Sequence, residues 1–157
     1  MDIPATAFFH PIEQRLLSMP PVRALNLRLQ GYDNESLRLA APLAPNINDK
    51  GNAFGGSLAS VMTLAAWALM SMKLEDAGHA ADVYVQDTNV RYLAPLYDDL
   101  LAEARLVPDQ DWSNVIATFA QRSKARALMS VHILDHKGTL CCTLEGRFVA
   151  LTPKPAG

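Results

Sequence analysis

Hydrophobic and polar residues alternate along two short stretches in the first third of the chain. Leucines alternate with polar side chains over residues 25–29 and again over residues 37–39, and the turn-prone stretch 31–34 separates the two. Strict alternation places one set of side chains on a buried sheet face and the other set in water. The pattern predicts a β-hairpin over these residues.

Apolar residues at every third or fourth position, the spacing of a helix, occur in two other segments. Residues 6–19 carry apolar side chains at this spacing, and a proline pair at 20–21 ends the run. A long and mostly apolar segment, residues 57–75, predicts the second helix. Gly78 supplies the glycine that often follows the end of a helix.

The second half of the chain consists mainly of further strand-like runs. They predict strands over residues 83–92, 101–107, about 112–122, 127–134 and 140–151. The predicted order is a hairpin, one buried helix and then strands that follow one another along the chain. This order is typical of an antiparallel sheet wrapped around the helix. We therefore predict an α+β fold in a single domain, residues 1–157, with a lead-in segment over 1–21 and a flexible tail over 152–157.

Composition and charge narrow the functional classes. The chain has 157 residues, 50% of them hydrophobic, and a formal net charge of -2, which suits one soluble domain. No stretch is basic enough for nucleic-acid binding. Cys141 and Cys142 are adjacent, so on a strand they alternate faces and do not form an ordinary structural disulfide. Together with a chain start that lacks a basic signal-peptide region, this predicts a cytoplasmic protein.

One segment allows a second interpretation. Residues 54–72 contain no charged side chain over roughly the length that a membrane-spanning helix needs. The strand-like runs that follow it, and the glycine, serine and threonine residues within it, favour instead a helix buried in a soluble protein. No membrane partner is therefore expected.

A polar, turn-rich loop over residues 45–54 leads through a glycine pair directly into the central helix. Glycine lets the backbone approach a ligand closely, and the free N–H groups at a helix start carry the positive end of the helix dipole. The backbone N–H groups of Gly56 and Ser57 are therefore candidate donors to a developing oxyanion. Asn46 and Asn48 add neutral amides that could orient the same ligand, although both also suit an ordinary turn.

Four short stretches carry a resemblance to known proteins. They read P-N-I-N-D-K-G at 45–51, A-F-G-G-S at 53–57, R-Y-L-A-P-L at 91–96 and E-G-R-F-V-A at 145–150. The chain resembles hot-dog-fold acyl-thioester enzymes and, among these, the family named for the carboxy-terminal domain of the bacterial YiiD protein. Members are labelled thioesterases, and some are malonyl-ACP decarboxylases that supply acetyl-ACP for fatty-acid initiation. The resemblance implies a homodimer, or a dimer of dimers, with Phe54 and Gly55 in a substrate groove at the subunit interface.

Position 63 distinguishes hydrolysis from decarboxylation. A thioesterase must activate water with a general base, and many hot-dog hydrolases carry Asp or Glu nine residues after the residue that precedes Gly-Gly; here that position is Thr63. The next carboxylate along the helix, Glu75, lies about 18 Å further on. A malonyl thioester that loses carbon dioxide needs oxyanion donors and no activated water. The neutral side chains of Asn48 and Thr63 therefore favour malonyl-ACP or malonyl-CoA decarboxylation.

Several alternatives stay open at this point. A thioesterase could take its base from Asp49 or Asp87 of either subunit, and a hot-dog dimer could bind acyl chains without catalysis. The Thr63 hydroxyl could bond the backbone of its own helix one turn back. Ser57 lacks the final glycine of a nucleophile elbow, so it suits a helix start better than covalent catalysis.

Charged side chains on the predicted strands are candidates for recognising the carrier. The cluster consists of Arg122, Lys124, Arg126 and Arg91. Acyl carrier protein is strongly acidic, so a basic groove mouth would speed its association, and the phosphates of coenzyme A suit the same charges. The alternative is a solvated basic edge that discourages strand pairing. The four histidines show no metal-like spacing, and we expect no metal and no cofactor beyond the phosphopantetheine of the substrate.

On a regular strand, alternation also places several polar side chains of residues 83–91 on one face. Asp87 and Asn89 would share that face with Val83, Val85 and Arg91. Such a face could reach the substrate groove, although the pattern favours roles on the sheet surface.

Overall fold

The computed structural model describes residues 10–33 and 35–155. The strands are β1 Arg28–Tyr32, β2 Ser36–Ala41, β3 Asp82–Tyr92, β4 Leu100–Leu106, β5 Lys124–Leu134 and β6 Leu140–Leu151. The helices are α1 His10–Ser18, α2 Pro20–Arg23, α3 Gly55–Asp76 and α4 Trp112–Arg122, with a 3-10 turn at Ala44–Asn46. All strand pairs are antiparallel and form one sheet in the order β1-β2-β4-β5-β6-β3. The predicted α+β architecture is confirmed.

Helix α3 lies at the centre of the core. Its buried side chains include Val61, Met62 and Leu69, and it packs against β2, β3, β4, β5 and β6. By length and composition the helix could cross a membrane, but 67% of its apolar window is buried inside the protein. Enclosure by the sheet therefore explains why this helix is apolar on nearly all sides.

The C-terminal end of α3 is closed by backbone and side-chain contacts. Gly78 adopts a left-handed conformation with φ of +85° and donates its N–H to Glu75 at 2.9 Å, as the sequence predicted for a helix end. The Tyr32 hydroxyl donates to Asp76 at 2.5 Å, and Arg15 of α1 forms a 2.7 Å ion pair with Glu75. The hairpin and α1 are thereby attached to the same end of the helix.

The lead-in helix and the hairpin form close to their predicted positions, although β1 begins at Arg28 and extends through Gly31 and Tyr32, which were predicted as turn. Helix α1 begins at His10, and residues 6–9 of the predicted lead-in helix lie outside the described residues. The β1–β2 turn is organised by Asp33, whose carboxylate accepts the backbone N–H groups of Glu35 and Ser36 at 2.8 Å each. An aspartate that bonds to its following backbone is a common turn former.

The strand predicted over about 112–122 is wrong, because this segment forms helix α4. Trp112, Val115 and Phe119 are buried at helical spacing, and Asp111 caps the helix by accepting the N–H of Asn114 at 2.7 Å. Valine, isoleucine and phenylalanine favour strands when taken singly. The cap and the 3.6-residue period outweigh that local preference.

Strand β3 is an edge strand and carries a bulge. Among the described strands its partner is β6, where Val85 lies opposite Phe148 and Asp87 lies opposite Arg147, so that Gln86 is the extra residue. The extra residue reverses the alternation. Asp87 thus faces outward beside the exposed Arg147, whereas Val85, itself exposed at the sheet edge, lies on the same sheet face as the buried Phe148. The predicted common face is therefore right for Asp87, Asn89 and Arg91 and wrong for Val83 and Val85, which lie before the bulge.

Candidate active site

The polar loop before α3 is fixed by backbone hydrogen bonds at its base. Ile47 and Ala53 form an isolated antiparallel bridge, and the Phe54 N–H donates to the Asn46 carbonyl at 2.8 Å. The Ala53 N–H donates at 2.8 Å to Leu96, in the segment that follows β3. Residues 48–52 thus form a short closed loop that is held beside the start of the helix.

Asn48 organises the interior of this loop. Its side-chain oxygen accepts the backbone N–H groups of Lys50 at 2.8 Å and Asn52 at 3.1 Å. Its side-chain nitrogen donates to the Asn52 side-chain oxygen at 2.8 Å. Asn48 therefore holds the turn together, as the alternative interpretation of this residue expected, and one N–H of its amide is left over for a ligand.

The first turn of α3 has no side-chain cap. Phe54 occupies the N-cap position without a side-chain hydrogen bond, and the first intrahelical N–H is that of Leu58, which donates to Phe54 at 3.0 Å. The preceding N–H groups of Gly55, Gly56 and Ser57 have no intrahelical acceptor. Gly56 and Ser57, the two predicted donors, lie in this uncapped turn.

Two aromatic rings flank the glycine pair. A Cβ atom at Gly56 would lie only 2.5 Å from the Phe54 ring, and one at Gly55 would lie 3.5 Å from the Tyr92 ring. The Tyr92 hydroxyl donates to the Gly55 carbonyl at 3.1 Å. Phe54 and Tyr92 are 55% and 56% exposed, so both present apolar surface at the helix start. Sequence reasoning gave Tyr92 no role, although it stands in the family-like stretch 91–96.

Thr63 lies on the same helix face as Gly56 but further along. Seven residues separate the two, which is about 10 Å of helix axis. The Thr63 hydroxyl donates to the Ala59 carbonyl at 2.8 Å, as the backbone-bonded alternative expected. The threonine oxygen can still accept a hydrogen bond, but its proton is already engaged.

Both carboxylates considered as general bases, Asp49 and Asp87, are engaged in ion pairs. Asp49 is 80% exposed and forms a 2.9 Å ion pair with Lys50. Asp87 lies on the outer sheet face with Arg147, and hydrogen bonding to this arginine lowers the pKa of Asp87 below its usual range. A base working near neutral pH would need a raised pKa, so the lowered pKa of Asp87 is unsuited to that role.

Asn46 is part of the scaffold. It is 2% exposed, and its side-chain nitrogen donates to the carbonyls of Leu25 at 3.0 Å and Pro42 at 2.8 Å. Asn46 therefore has a structural role through its nitrogen, whereas its side-chain oxygen has no hydrogen-bond partner among the described residues, and its contact with substrate stays a prediction. Burial of a polar amide requires such partners, and only the fold could reveal them.

The predicted basic cluster is divided along the sheet. Arg126 lies level with Tyr84 across β6, and Arg91 stands seven residues beyond Tyr84, or about 20 Å away along β3. Arg126, which donates to Gln86 at 3.0 Å, lies with Lys124 at one end of the outer face, and Arg122 ends helix α4 two residues before Lys124. Arg91 alone lies near the end of β3 that approaches the helix start.

A groove of about 810 Å³ opens on a different part of the surface. Arg28, Leu101 and Leu134 contribute to its lining, and at its rim His136 contacts Asp98 at 2.8 Å. The hydrogen bond to Asp98 raises the pKa of His136. The groove shares no lining residue with the Asn48 loop or with the first turn of α3, so it is separate from the candidate active site.

Solved structures of other proteins share this architecture. A protein of unknown function from Chlorobaculum tepidum TLS matches with a TM-score of 0.86 at 26% identity, over 95% of this chain and 97% of that one. A "putative thioesterase" from Shewanella oneidensis matches at 0.81 and 28% identity, over 91% and 96%. A "probable thioesterase" from Pseudomonas aeruginosa matches at 0.77 and 22% identity, over 98% and 99%. The fold is the hot-dog fold, as predicted.

The stretches that carried the family resemblance contain the helix start, the rings of Phe54 and Tyr92 beside it, and the Asn48 loop. The model of the family described as "Putative thioesterase (yiiD_Cterm)" matches residues 10–152. The match includes every candidate site residue and all six strands. The chain therefore belongs to this family, whose members are hot-dog proteins of the acyl-thioester enzyme class.

Proposed function

We propose that this enzyme decarboxylates malonyl thioesters, with malonyl-ACP as the preferred substrate, and so forms an acetyl thioester. The observation that carries the proposal is the combination of an uncapped helix start with the neutral Asn48 beside it. A developing oxyanion needs such donors, and a neutral site does not repel the malonyl carboxylate.

The reaction requires no activated water. The bond between the carboxylate carbon and the α-carbon breaks, carbon dioxide leaves, and the electron pair passes into a thioester enolate. The N–H groups of Gly56 and Ser57 hold the enolate oxygen, which in comparable sites is worth roughly 2.7–4 kcal/mol per donor. Solvent then protonates the α-carbon. The remaining N–H of Asn48 orients the malonyl group.

A second copy of the chain completes the groove in this proposal. About 10 Å of helix axis separates Gly56 from Thr63 in one subunit, too far for both to contact one malonyl group. Strand β3 is an edge, and Tyr84, Val85 and Tyr92 along it are 54%, 47% and 56% exposed. Long apolar edges are normally covered. Pairing of β3 with its copy would cover them and bring Thr63 of one subunit towards Gly56 of the other.

Assembly is tested by light scattering on the purified protein. We expect wild type to run as a dimer or a dimer of dimers, and Val85→Asp to shift it towards the monomer with loss of activity, because a charge at an apolar interface is costly. Leu140→Asp, at a 39% exposed leucine of β6, serves as the control. A monomeric wild type with full activity contradicts the shared groove.

Carrier recognition in this proposal rests on the basic side chains. Arg91 stands near the helix start, Lys124 and Arg126 stand at the other end of the outer face, and Arg122 ends helix α4 next to them in the chain. Replacing Arg91 with Ala should raise KM for malonyl-ACP and weaken the salt dependence of association. A similar rise for malonyl-CoA would assign Arg91 to the pantetheine or nucleotide phosphates that the two carriers share.

One assay separates the functional classes. Purified protein is incubated with malonyl-ACP, malonyl-CoA and a panel of uncharged acyl-CoAs, and acetyl thioester is measured against free thiol. Acetyl thioester without free thiol supports decarboxylation. If the protein releases free thiol from acyl-CoAs and leaves malonyl-ACP unchanged, the decarboxylase proposal is wrong. The thioesterase alternative, which the family description favours, then takes its place. Tight binding without turnover indicates a non-catalytic acyl-binding dimer.

Position 63 offers a sharper test. Thr63→Asp restores a carboxylate where many hot-dog hydrolases carry one, and at ~5 Å in an effective dielectric near 20 its repulsion of a malonyl carboxylate is about 3 kcal/mol. Decarboxylation should therefore fall steeply. Thr63→Asn is the matched neutral control and should retain most of the rate. The ratio of decarboxylation to hydrolysis is measured between about pH 6 and 9. Burial raises the pKa of an aspartate, so the new carboxylate gains its charge only towards the upper end of this range.

A further inference from the structure

Asn52 is a polar residue of the site to which the sequence motifs assigned no role. It stands at the end of the closed loop, directly before Ala53 and Phe54. It is half-buried, and its side-chain oxygen accepts the Asn48 side-chain N–H at 2.8 Å. The Asn52 backbone is bonded to Asn48 as well, because its carbonyl accepts the Asn48 N–H at 2.8 Å.

These contacts determine which way the Asn48 amide points. Its oxygen faces two backbone donors, the N–H groups of Lys50 and Asn52, and its nitrogen faces an acceptor, the Asn52 side-chain oxygen. A flipped amide would place N–H against N–H and oxygen against oxygen. An asparagine surrounded by donors on one side and an acceptor on the other has a single favourable orientation.

The acceptor is the part of this arrangement that only the Asn52 side chain supplies. The two donors to the Asn48 oxygen are backbone groups, which any residue at positions 50 and 52 except proline would provide. The Asn52 oxygen engages one of the two N–H bonds of the Asn48 nitrogen. Because the amide is planar, fixing that bond also fixes the direction of the other one.

We propose that Asn52 is a positioning residue, whose side-chain oxygen orients the free N–H of Asn48 towards the malonyl group. The inference rests on the proposed function of Asn48 and deepens it. Asn52 acts through Asn48 and need not touch substrate. A donor that is held in place before the reaction stabilises the transition state without reorganisation at that moment.

A double-mutant cycle on the dimeric protein tests the coupling. Asn52→Ala should lower kcat by about tenfold with little change in KM, and it should have no further effect once Asn48→Ala is present. Asn52→Asp keeps the acceptor oxygen and should restore part of the lost rate. Asn114→Ala removes a similar asparagine on α4, which donates to Asp111 at 3.3 Å, and serves as the control. Independent losses that multiply in the double variant overturn the proposal.

A spectroscopic measurement separates this inference from the proposed function. The side-chain amide signals of Asn48 are assigned in a ¹⁵N spectrum by their loss in Asn48→Ala. Asn52→Ala should shift them and speed their hydrogen exchange, whereas Asn114→Ala should leave them unchanged. Unchanged signals in Asn52→Ala overturn the positioning role. If wild type turns over no thioester, the proposed function fails, and these signals still decide whether Asn52 orients Asn48.

Discussion

The two ends of helix α3 differ in how their backbone groups are satisfied. At the C-terminal end, Gly78 turns the chain back, Tyr32 donates to Asp76, and Arg15 pairs with Glu75. At the N-terminal end there is no side-chain cap, and the exposed rings of Phe54 and Tyr92 surround the first turn.

The difference predicts which substitutions change the free energy of unfolding and which change the rate. Helix ends without caps lose stabilisation that a single side chain could supply, so an uncapped end in a well-packed protein points to another use for its N–H groups. Substitutions at the C-terminal end should therefore change the free energy of unfolding and spare the rate. Substitutions at the N-terminal end should do the reverse.

The largest expected effect is that of Asn48→Ala. Loss of the orienting amide should reduce kcat/KM by about 10²-fold or more, or roughly 2.7 kcal/mol, while the oligomeric state and the circular dichroism spectrum stay unchanged. Steady-state kinetics with malonyl-ACP measures it. Near wild-type rates would remove Asn48 from the mechanism and leave it as a turn former.

At the C-terminal end of α3, Tyr32→Phe should lower the free energy of unfolding by about 1.5 kcal/mol, because the hydrogen bond to the Asp76 carboxylate is lost. The value of kcat/KM should stay unchanged. Burial and Asp76 raise the pKa of Tyr32. A group whose pKa is raised by folding stabilises the protein below its unfolded pKa and loses that contribution as the pH rises. The difference between wild type and variant should thus shrink above about pH 10. Urea unfolding at several pH values measures it, and a large loss of activity would contradict the division between the two ends.

The smallest expected effect is that of Ser57→Ala, since the backbone N–H of this residue, and not its hydroxyl, is the proposed donor. Rates should stay within about twofold of wild type. Mass spectrometry of the protein during turnover provides the decisive observation. An acyl-serine adduct, together with an inactive Ser57→Ala variant, would replace the proposed mechanism with covalent catalysis.

Local sequence patterns predicted much of the fold. Alternation located the hairpin and most strands, and Gly78 marked the end of α3. The same patterns failed at α4, where strand-favouring residues belong to a helix capped by Asp111. They also failed at β3, where the extra residue Gln86 turns Asp87 outward. Both errors arose where a single contact or a single inserted residue decides the geometry.

The sequence by itself determined that two glycines join a polar loop to a helix without charged residues up to Met72, and that position 63 carries no carboxylate. Only the tertiary structure decided how other polar side chains are used: Asn46 bonds Leu25 and Pro42, and Asn52 holds the amide of Asn48. The physical reason is that periodicity and turn chemistry depend on neighbours in the chain. The partner of a hydrogen-bonding group depends instead on which atoms the completed fold brings within about 3 Å of it.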